Sequence, residues 1–286
     1  TESAGLPGRT DSNRNQHCDL NPNMAQPSLI SRFDRFWSAA RSIYYWIVLI
    51  LVTILTGLLT LPFMIFRMNR AMHASGYFWG RTLSRLAGIK IELEGDERLH
   101  TDGPVIFISN HQSMVDILVF FSVLRVPFAW MAKASLFKIP LFGWGMSAAG
   151  YIPVERDDRR KALDSLYDAA DQDKGGSTVV IFPEGTRGHP DGSMRAFKKG
   201  GFILAKRAAV TIQPITIHGA SAIMPAKQRG TRVQRIKPGT VQMLIHPTIA
   251  PAEYADAAPE ELSERVRAII EAPLAQMMAR AAERNR

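Results

Sequence analysis

The sequence predicts an α/β layered domain behind an N-terminal apolar helical anchor. Three observations carry that expectation. Residues 42–66, SIYYWIVLILVTILTGLLTLPFMIF, contain no charged side chain. After Gly88, short apolar or alternating runs exchange with stretches of helical spacing, as strands interleaved with helices do. The 286 residues are 46% hydrophobic and 21% charged, an ordinary globular composition with length enough for a substantial core. This composition excludes a disordered, a collagen-like or a coiled-coil chain. A mean hydropathy of -0.05 argues against a polytopic membrane protein.

Charge and cysteine content narrow the chemistry. Thirty-five Lys and Arg against 26 Asp and Glu leave a net charge of +9. Such a balance points to a polyanionic partner: nucleic acid, an anionic membrane surface or a phosphorylated substrate. The single cysteine, Cys18, lies in a polar tail. An intramolecular disulfide framework and a Cys-based zinc site are thereby excluded, and no thiol nucleophile is expected.

Along the chain, residues 1–35 read as a disordered tail, 36–88 as a membrane-associated helical anchor and 89–286 as the α/β domain with a C-terminal helix. The uncharged stretch is long enough, at ~1.5 Å per residue, to cross a ~30 Å hydrocarbon core. Tyr44, Tyr45 and Trp46 stand at one end, as interface anchors do. Gly57 and Pro62 offer places to bend, so the segment reads either as one span or as a dip and return. Basic residues are in excess downstream, which favours a cytoplasmic C-terminal domain. Residues 71–88 read as an amphipathic helix, interfacial or simply surface-exposed.

Strands are expected at IKIELEG (89–95), VIFIS (105–109), FAWMAK (128–133), YIPVER (151–156), TVVIFPEG (178–185), TIQPITI (211–217) and TVQMLIHP (240–247). Helices are expected at MVDILVFFSVL (114–124), at 158–173, at GGFILAKRAA (200–209) and after Pro259.

Two strand ends carry the chemistry. In VIFISNHQSMVDIL a buried strand runs into a polar turn and then a helix, a place that ligand and catalytic groups favour. His111 sits in the turn and Asp116 in the first turn of the helix. A carboxylate so placed can reach back to one imidazole nitrogen and leave the other as a general base. Alternatively, Ser113-x-x-Asp116 is a capping-box pattern and Asp116 only caps the helix. Ser113 also offers a nucleophile, or more simply an N-cap.

In VVIFPEGTRG another strand meets a turn. Arg187 can grip a phosphate with two donors, and N–H groups near Gly185 and Thr186 can form an anion nest. Glu184 can accept a substrate hydroxyl or hold an arginine. Alternatively, this is a tight turn with a structural Glu–Arg pair. Lys133 and Arg156 lie at or near two further strand ends, with an apolar run between them that suits an acyl groove or a core. The signatures GxGxxG after a strand, GxxxxGK[ST], HExxH and G-x-S-x-G are absent.

These segments together resemble a known family. NHQSMVD resembles the H-x4-D block of the glycerolipid acyltransferase superfamily, and FPEGTR its phosphate-binding block. GYIPVER and IQPITI resemble the two remaining blocks, and all four occur in the family's order over about residues 75–250. In the superfamily the sequence is most similar to the 1-acyl-sn-glycerol-3-phosphate acyltransferases. The stretch after FPEGTR, GHPDG, departs from the pattern beside the phosphate block.

The resemblance implies a layered domain with a mixed sheet flanked by helices, preceded by a membrane-embedded helical anchor. It implies His111 as general base and Asp116 as its orienting partner. Arg156 and Arg187 would bind the substrate phosphate, with Lys133 assisting. Glu184, Gly185 and Thr186 would shape the acceptor site, and Pro214 would be structural or line the acyl site. No metal or cofactor is expected, with acyl-CoA or acyl-carrier protein as cosubstrate. The implied reaction makes phosphatidic acid from lysophosphatidic acid in phospholipid biosynthesis, at a bacterial inner membrane with the catalytic domain in the cytoplasm. Partners would be membrane lipids and the thioester donor, not nucleic acid. Three alternatives stand beside it: transfer to another lysolipid, a lipid hydrolase built on Ser113, and a non-catalytic membrane-binding protein.

Overall fold

The computed structural model describes residues 29–66, 68–140, 142–155, 178–189, 191–225 and 234–284. Cys18, Arg156 and the helix expected over 158–173 lie outside the described residues. Two compact units divide after Trp37. In the first, helix α1 (Leu29–Ile65) begins inside the segment read as tail. The second, from Ser38 onward, holds the remainder of α1 and the α/β domain.

The elements of that domain follow in order: α2 (Asn69–Leu86), β1 (Ile89–Glu94), β2 (Val105–Ser109), α3 (Val115–Val123), β3 (Ala129–Lys133), α4 (Phe142–Ala148), β4 (Ile152–Val154), β5 (Val179–Ile181), α5 (Gly200–Ala208), β6 (Thr211–His218), α6 (Ala220–Ile223), β7 (Gly239–Ile245) and α7 (Pro259–Arg284). The strands form one sheet in the order β1-β7-β6-β2-β5-β3-β4. Among these strands only β6 and β7 pair antiparallel, so the sheet is mixed.

Helices cover both faces, which explains why the central strands are apolar without alternation. In β2, Val105 and Phe107 pack with Val119 and Phe120 of α3. Ile106 and Ile108 point the other way, into a cluster with Phe202 of α5 and Val266 and Ile270 of α7. Across the first face, α2 crosses α3 at Gly80. A Cβ there would stand 2.5 Å from Phe121 Cβ and 3.0 Å from the Leu118 carbonyl oxygen, so the close approach needs glycine.

Pro214 lies inside β6, opposite Ile108. A proline cannot donate to the ladder, and a central strand rarely tolerates one. Here its carbonyl accepts the His246 N–H at 3.1 Å. The side chain of the preceding residue then substitutes for the missing N–H: Gln213 Nε2 donates to the His246 carbonyl at 3.0 Å.

On the same strand, the Thr216 hydroxyl donates to the Ile270 carbonyl at 3.2 Å. It accepts from His246 Nε2 at 2.8 Å, since a hydroxyl has one proton to give. Burial pushes the His246 imidazole down to about 4, and the Arg98 charge adds to the effect.

Helix α1 runs without a break through Gly57 and Pro62. Phe36–Ile65 is long and apolar enough to cross a membrane. Yet one face of it belongs to the domain. Tyr45 is 2% exposed in the core beside α3. Ser42 accepts the Ile236 N–H at 3.2 Å, Trp46 donates to the Gln234 carbonyl at 2.9 Å, and Trp79 of α2 donates to Thr53 at 3.0 Å. The opposite face, with Ile43, Ile47, Ile50 and Leu51, is exposed.

Candidate active site

The sheet itself brings the two motifs together. β2 and β5 are parallel neighbours with Ile108 opposite Ile181. His111 and Glu184 each follow three residues later, so the NHQ turn and the PEG turn leave the same edge side by side. Asn110 keeps the first turn in line with the sheet. Its Nδ2 donates to the Ile217 carbonyl and its Oδ1 accepts the Ile217 N–H, both at 2.8 Å. The side chain thus supplies the rung that the departing backbone would have made.

His111 Nδ1 lies 2.7 Å from Asp116 Oδ2. The same oxygen accepts the N–H groups of Gln112 at 2.7 Å and Ser113 at 2.9 Å. Asp116 therefore both closes the turn and orients the imidazole; the two sequence readings describe one arrangement. An ionised carboxylate only accepts, so Nδ1 carries the proton and Nε2 is left with a free lone pair. Asp116 is wholly buried and the His111 side chain 12% exposed. The imidazole also stacks on Phe182 at 4.2 Å between centroids, with 12° between planes. Phe182 in turn stacks on Trp130 and meets Phe120 edge-on. The ring is fixed by its face as well as by its Nδ1.

Ser113 is buried, and its hydroxyl donates to the Met224 carbonyl at 2.8 Å. It forms half of the expected capping box: its N–H reaches Asp116, while its hydroxyl accepts the Val115 N–H at 3.4 Å rather than that of Asp116.

Glu184 is 3% exposed. Oε1 accepts the His111 N–H and Oε2 the Arg195 N–H, each at 2.8 Å. Burial raises its pKa above the ordinary carboxyl value, and the two N–H donors oppose that shift. From the other side, the Gly188 N–H donates to the His111 carbonyl at 2.7 Å. The His111 turn is thus clasped by the second loop at both its N–H and its C=O. Gly185 makes the clasp possible with φ +69°, a left-handed conformation that disfavours any Cβ.

The remaining expected residues are placed as follows. Arg187 is half-buried, and its carbonyl accepts from Arg195 Nε at 3.0 Å. Its guanidinium makes no hydrogen bond or ion pair with the described residues. Thr186 is exposed beside it. Lys133 is exposed at the end of β3, in register with Val154, and makes no ion pair among the described residues. Pro214 lies within the sheet, not at the edge where His111 stands. Among the described residues no three His, Cys, Asp or Glu side chains gather as metal ligands would. Sequence reasoning missed Phe182, Trp130, Asn110 and the Arg195 N–H. Only Phe182 carried a signal, since it directly follows a buried strand and precedes the PEG turn.

Similarity to known proteins bears on this geometry. A family model described as Acyltransferase matches residues 90–218. Over 193 residues the chain is 33% identical to the 1-acyl-sn-glycerol-3-phosphate acyltransferase of Pseudomonas aeruginosa, covering 67% of this chain and 72% of that one. It is 40% identical over 161 residues to a chloroplastic 1-acyl-sn-glycerol-3-phosphate acyltransferase of Arabidopsis thaliana, covering 56% of this chain and 44% of the other. The chain spans about half the length of such algal and plant relatives. The crystal structure of the 1-acyl-sn-glycerophosphate (LPA) acyltransferase PlsC from Thermotoga maritima superposes with a TM-score of 0.70 at 25% identity, over 86% of this chain and 98% of that one.

The fold is therefore an α/β fold shared with an acyltransferase, and the His111 and Glu184 turns lie at the carboxyl edge of its mixed sheet. The chain belongs to the acyltransferase family that includes the 1-acyl-sn-glycerol-3-phosphate acyltransferases.

Proposed function

We propose that the protein transfers a fatty acyl group from a thioester, acyl-CoA or acyl-carrier protein, to the 2-hydroxyl of 1-acyl-sn-glycerol-3-phosphate. The product is phosphatidic acid for phospholipid synthesis. The observation that carries this reading is the His111–Asp116 contact at 2.7 Å with Nε2 left free. Nε2 takes the hydroxyl proton as that oxygen attacks the thioester carbonyl, and Asp116 supports the imidazolium that forms. When the carbon–sulfur bond breaks, the thiolate takes the proton and leaves as a thiol. The substrate hydroxyl is the nucleophile, so no acyl-enzyme forms.

Arg187, with Arg156 and Lys133, binds the acceptor phosphate, and Gly185 and Thr186 shape the loop around it. Glu184 acts mainly by holding the His111 turn. General base catalysis supplies about 10²–10⁴ in rate. Positioning of the two substrates and stabilisation of the oxyanion supply the rest. A hydrolase built on Ser113 is disfavoured by the commitment of its hydroxyl to the Met224 carbonyl.

The anchor is α1, and its docking argues for entry into one leaflet. Up to Thr53 the helix is hydrogen-bonded to the domain. Beyond it only residues 54–66 extend, about 20 Å of helix against a ~30 Å hydrocarbon core. The domain then stays on the side that holds its thioester donor, the cytoplasmic face of the bacterial inner membrane.

The test is acyl transfer by the detergent-purified chain, with each donor in turn, a panel of lysolipids and His111→Ala as control. Conversion of lysophosphatidic acid, lost in the variant, is expected. Transfer to a different lysolipid would keep the mechanism and change the acceptor. Undiminished transfer by His111→Ala would overturn the mechanism.

A further inference from the structure

A second cationic site stands at the opposite end of α3 from His111. Tyr77, Arg81 and Arg85 follow one another at four-residue spacing and so share one face of α2. Arg125 follows the carboxyl end of α3 and completes the cluster. The Arg81 guanidinium carbon lies 5.8 Å from the Tyr77 ring centroid and that of Arg125 6.0 Å. Arg81 also donates to the Tyr77 hydroxyl at 3.0 Å. The tyrosine is the platform that holds two guanidinium groups near one point.

Two cavities meet at this platform, both lined by Tyr77 and Arg125. One, of about 510 Å³, has Arg81 and Arg85 at its polar side and Ile89, Ile91 and Leu99 at its apolar side. The other, of about 450 Å³, adds Arg70 and His73. The four arginines are exposed. None of them forms an ion pair with a carboxylate of the described residues; Asp96 lines the larger cavity but does not reach ion-pair distance. The carboxyl end of α3 offsets part of one charge. The remaining like charges repel one another, and an anion set between them would relieve that repulsion.

The surroundings say which anion. Arg70 stands in the first turn of α2, directly after the end of α1. Ile65, Phe66 and Met68 are exposed on one side of it, and Phe78 projects from α2 itself. A charged cleft along a helix that carries exposed apolar side chains just before its start and at Phe78 suits an amphiphile at the surface of a bilayer, with its head in the cleft and its body in lipid. We infer that Arg81 and Arg125, held on Tyr77, bind the phosphate headgroup of an anionic phospholipid in the bilayer at a site separate from the catalytic centre. The site takes anionic phospholipids as a class, and the inference does not depend on the proposed reaction.

The experiment compares binding of the full chain to vesicles of phosphatidylcholine alone and of equimolar phosphatidylcholine and phosphatidylglycerol. Phosphatidylglycerol is chosen because the proposed reaction neither uses nor makes it. The native chain is expected to prefer the anionic vesicles. In Arg81→Gln/Arg125→Gln, affinity for them should fall about 25-fold, roughly fivefold for each arginine lost at an anionic surface. Affinity for phosphatidylcholine should not change. Arg280→Gln/Arg284→Gln, on α7, removes the same charge elsewhere and should keep the preference. Three results would overturn the inference: an unchanged preference in the first variant, an equal loss in the second, or saturable binding of inorganic phosphate with no preference for anionic vesicles.

Discussion

Glu184 Oε1 receives the backbone N–H of His111 at 2.8 Å, and its other oxygen receives the N–H of Arg195. One buried carboxylate thus ties together the turn that bears His111 and the loop that bears Arg187. The two motifs, 73 residues apart in sequence, form a single hydrogen-bonded unit.

Glu184→Gln should damage that unit without emptying it. An amide can accept at one end only and sets its NH₂ against a backbone N–H at the other. The expected loss is about 1–3 kcal/mol of stability, the cost of a buried donor left unpaired. Turnover should fall about 10²-fold through displacement of the base. Denaturation and acyl transfer measured on the same sample check both.

Asp116→Asn separates charge from geometry. The amide oxygen can replace Oδ2 toward Gln112 and Ser113, so the fold should survive. The negative charge that supports the imidazolium is gone, and turnover should fall by about 10²–10⁴. An unchanged kcat in a folded variant would refute the role given to Asp116.

Ser113→Ala removes the hydroxyl bonded to the Met224 carbonyl. It should cost about 1 kcal/mol in stability and leave acyl transfer intact, with no pre-steady-state burst in either protein. A dead but folded variant would favour the hydrolase.

His246 predicts a pH-dependent stability. In the fold its pKa lies near 4, below the ordinary 6.5. Above pH 6.5 both folded and unfolded chains hold a neutral imidazole, and stability is full. As pH falls from about 6.5 to 4 the unfolded chain takes up a proton that the native one refuses. On the order of 2–3 kcal/mol should be lost across that window, with no further loss from this group below it. Denaturation midpoints at pH 7 and pH 4.5 measure the loss, and the difference should shrink in His246→Gln.

Much of this arrangement is legible in the sequence, and the reasons differ by element. β2 was readable because a strand covered on both faces is apolar at every position, as VIFIS is. His111 and Asp116 were readable because their spacing spans one turn and the start of a helix. The clasp made by Glu184 was not, since a carboxylate in a turn looks the same whether it meets substrate or backbone. The stack of His111 on Phe182 joins residues 71 positions apart, and no local pattern encodes it. Pro214 reads as a strand breaker until the Gln213 side chain is seen to replace its donor. The docking of α1 was hidden for another reason: a helix that is apolar all round carries no period to show which side meets protein.

That docking has a practical consequence for anyone who handles the protein. Ser42, Tyr45 and Trp46 belong to the core and to the backbone just before β7, although they lie within the most lipid-like stretch of the chain. A truncation that removes this stretch to gain solubility would pull a keystone from the domain. A water-soluble version has to be sought by repainting the outer side of the helix, at positions such as Ile43, Ile47 and Leu51, with the inner side left as it is.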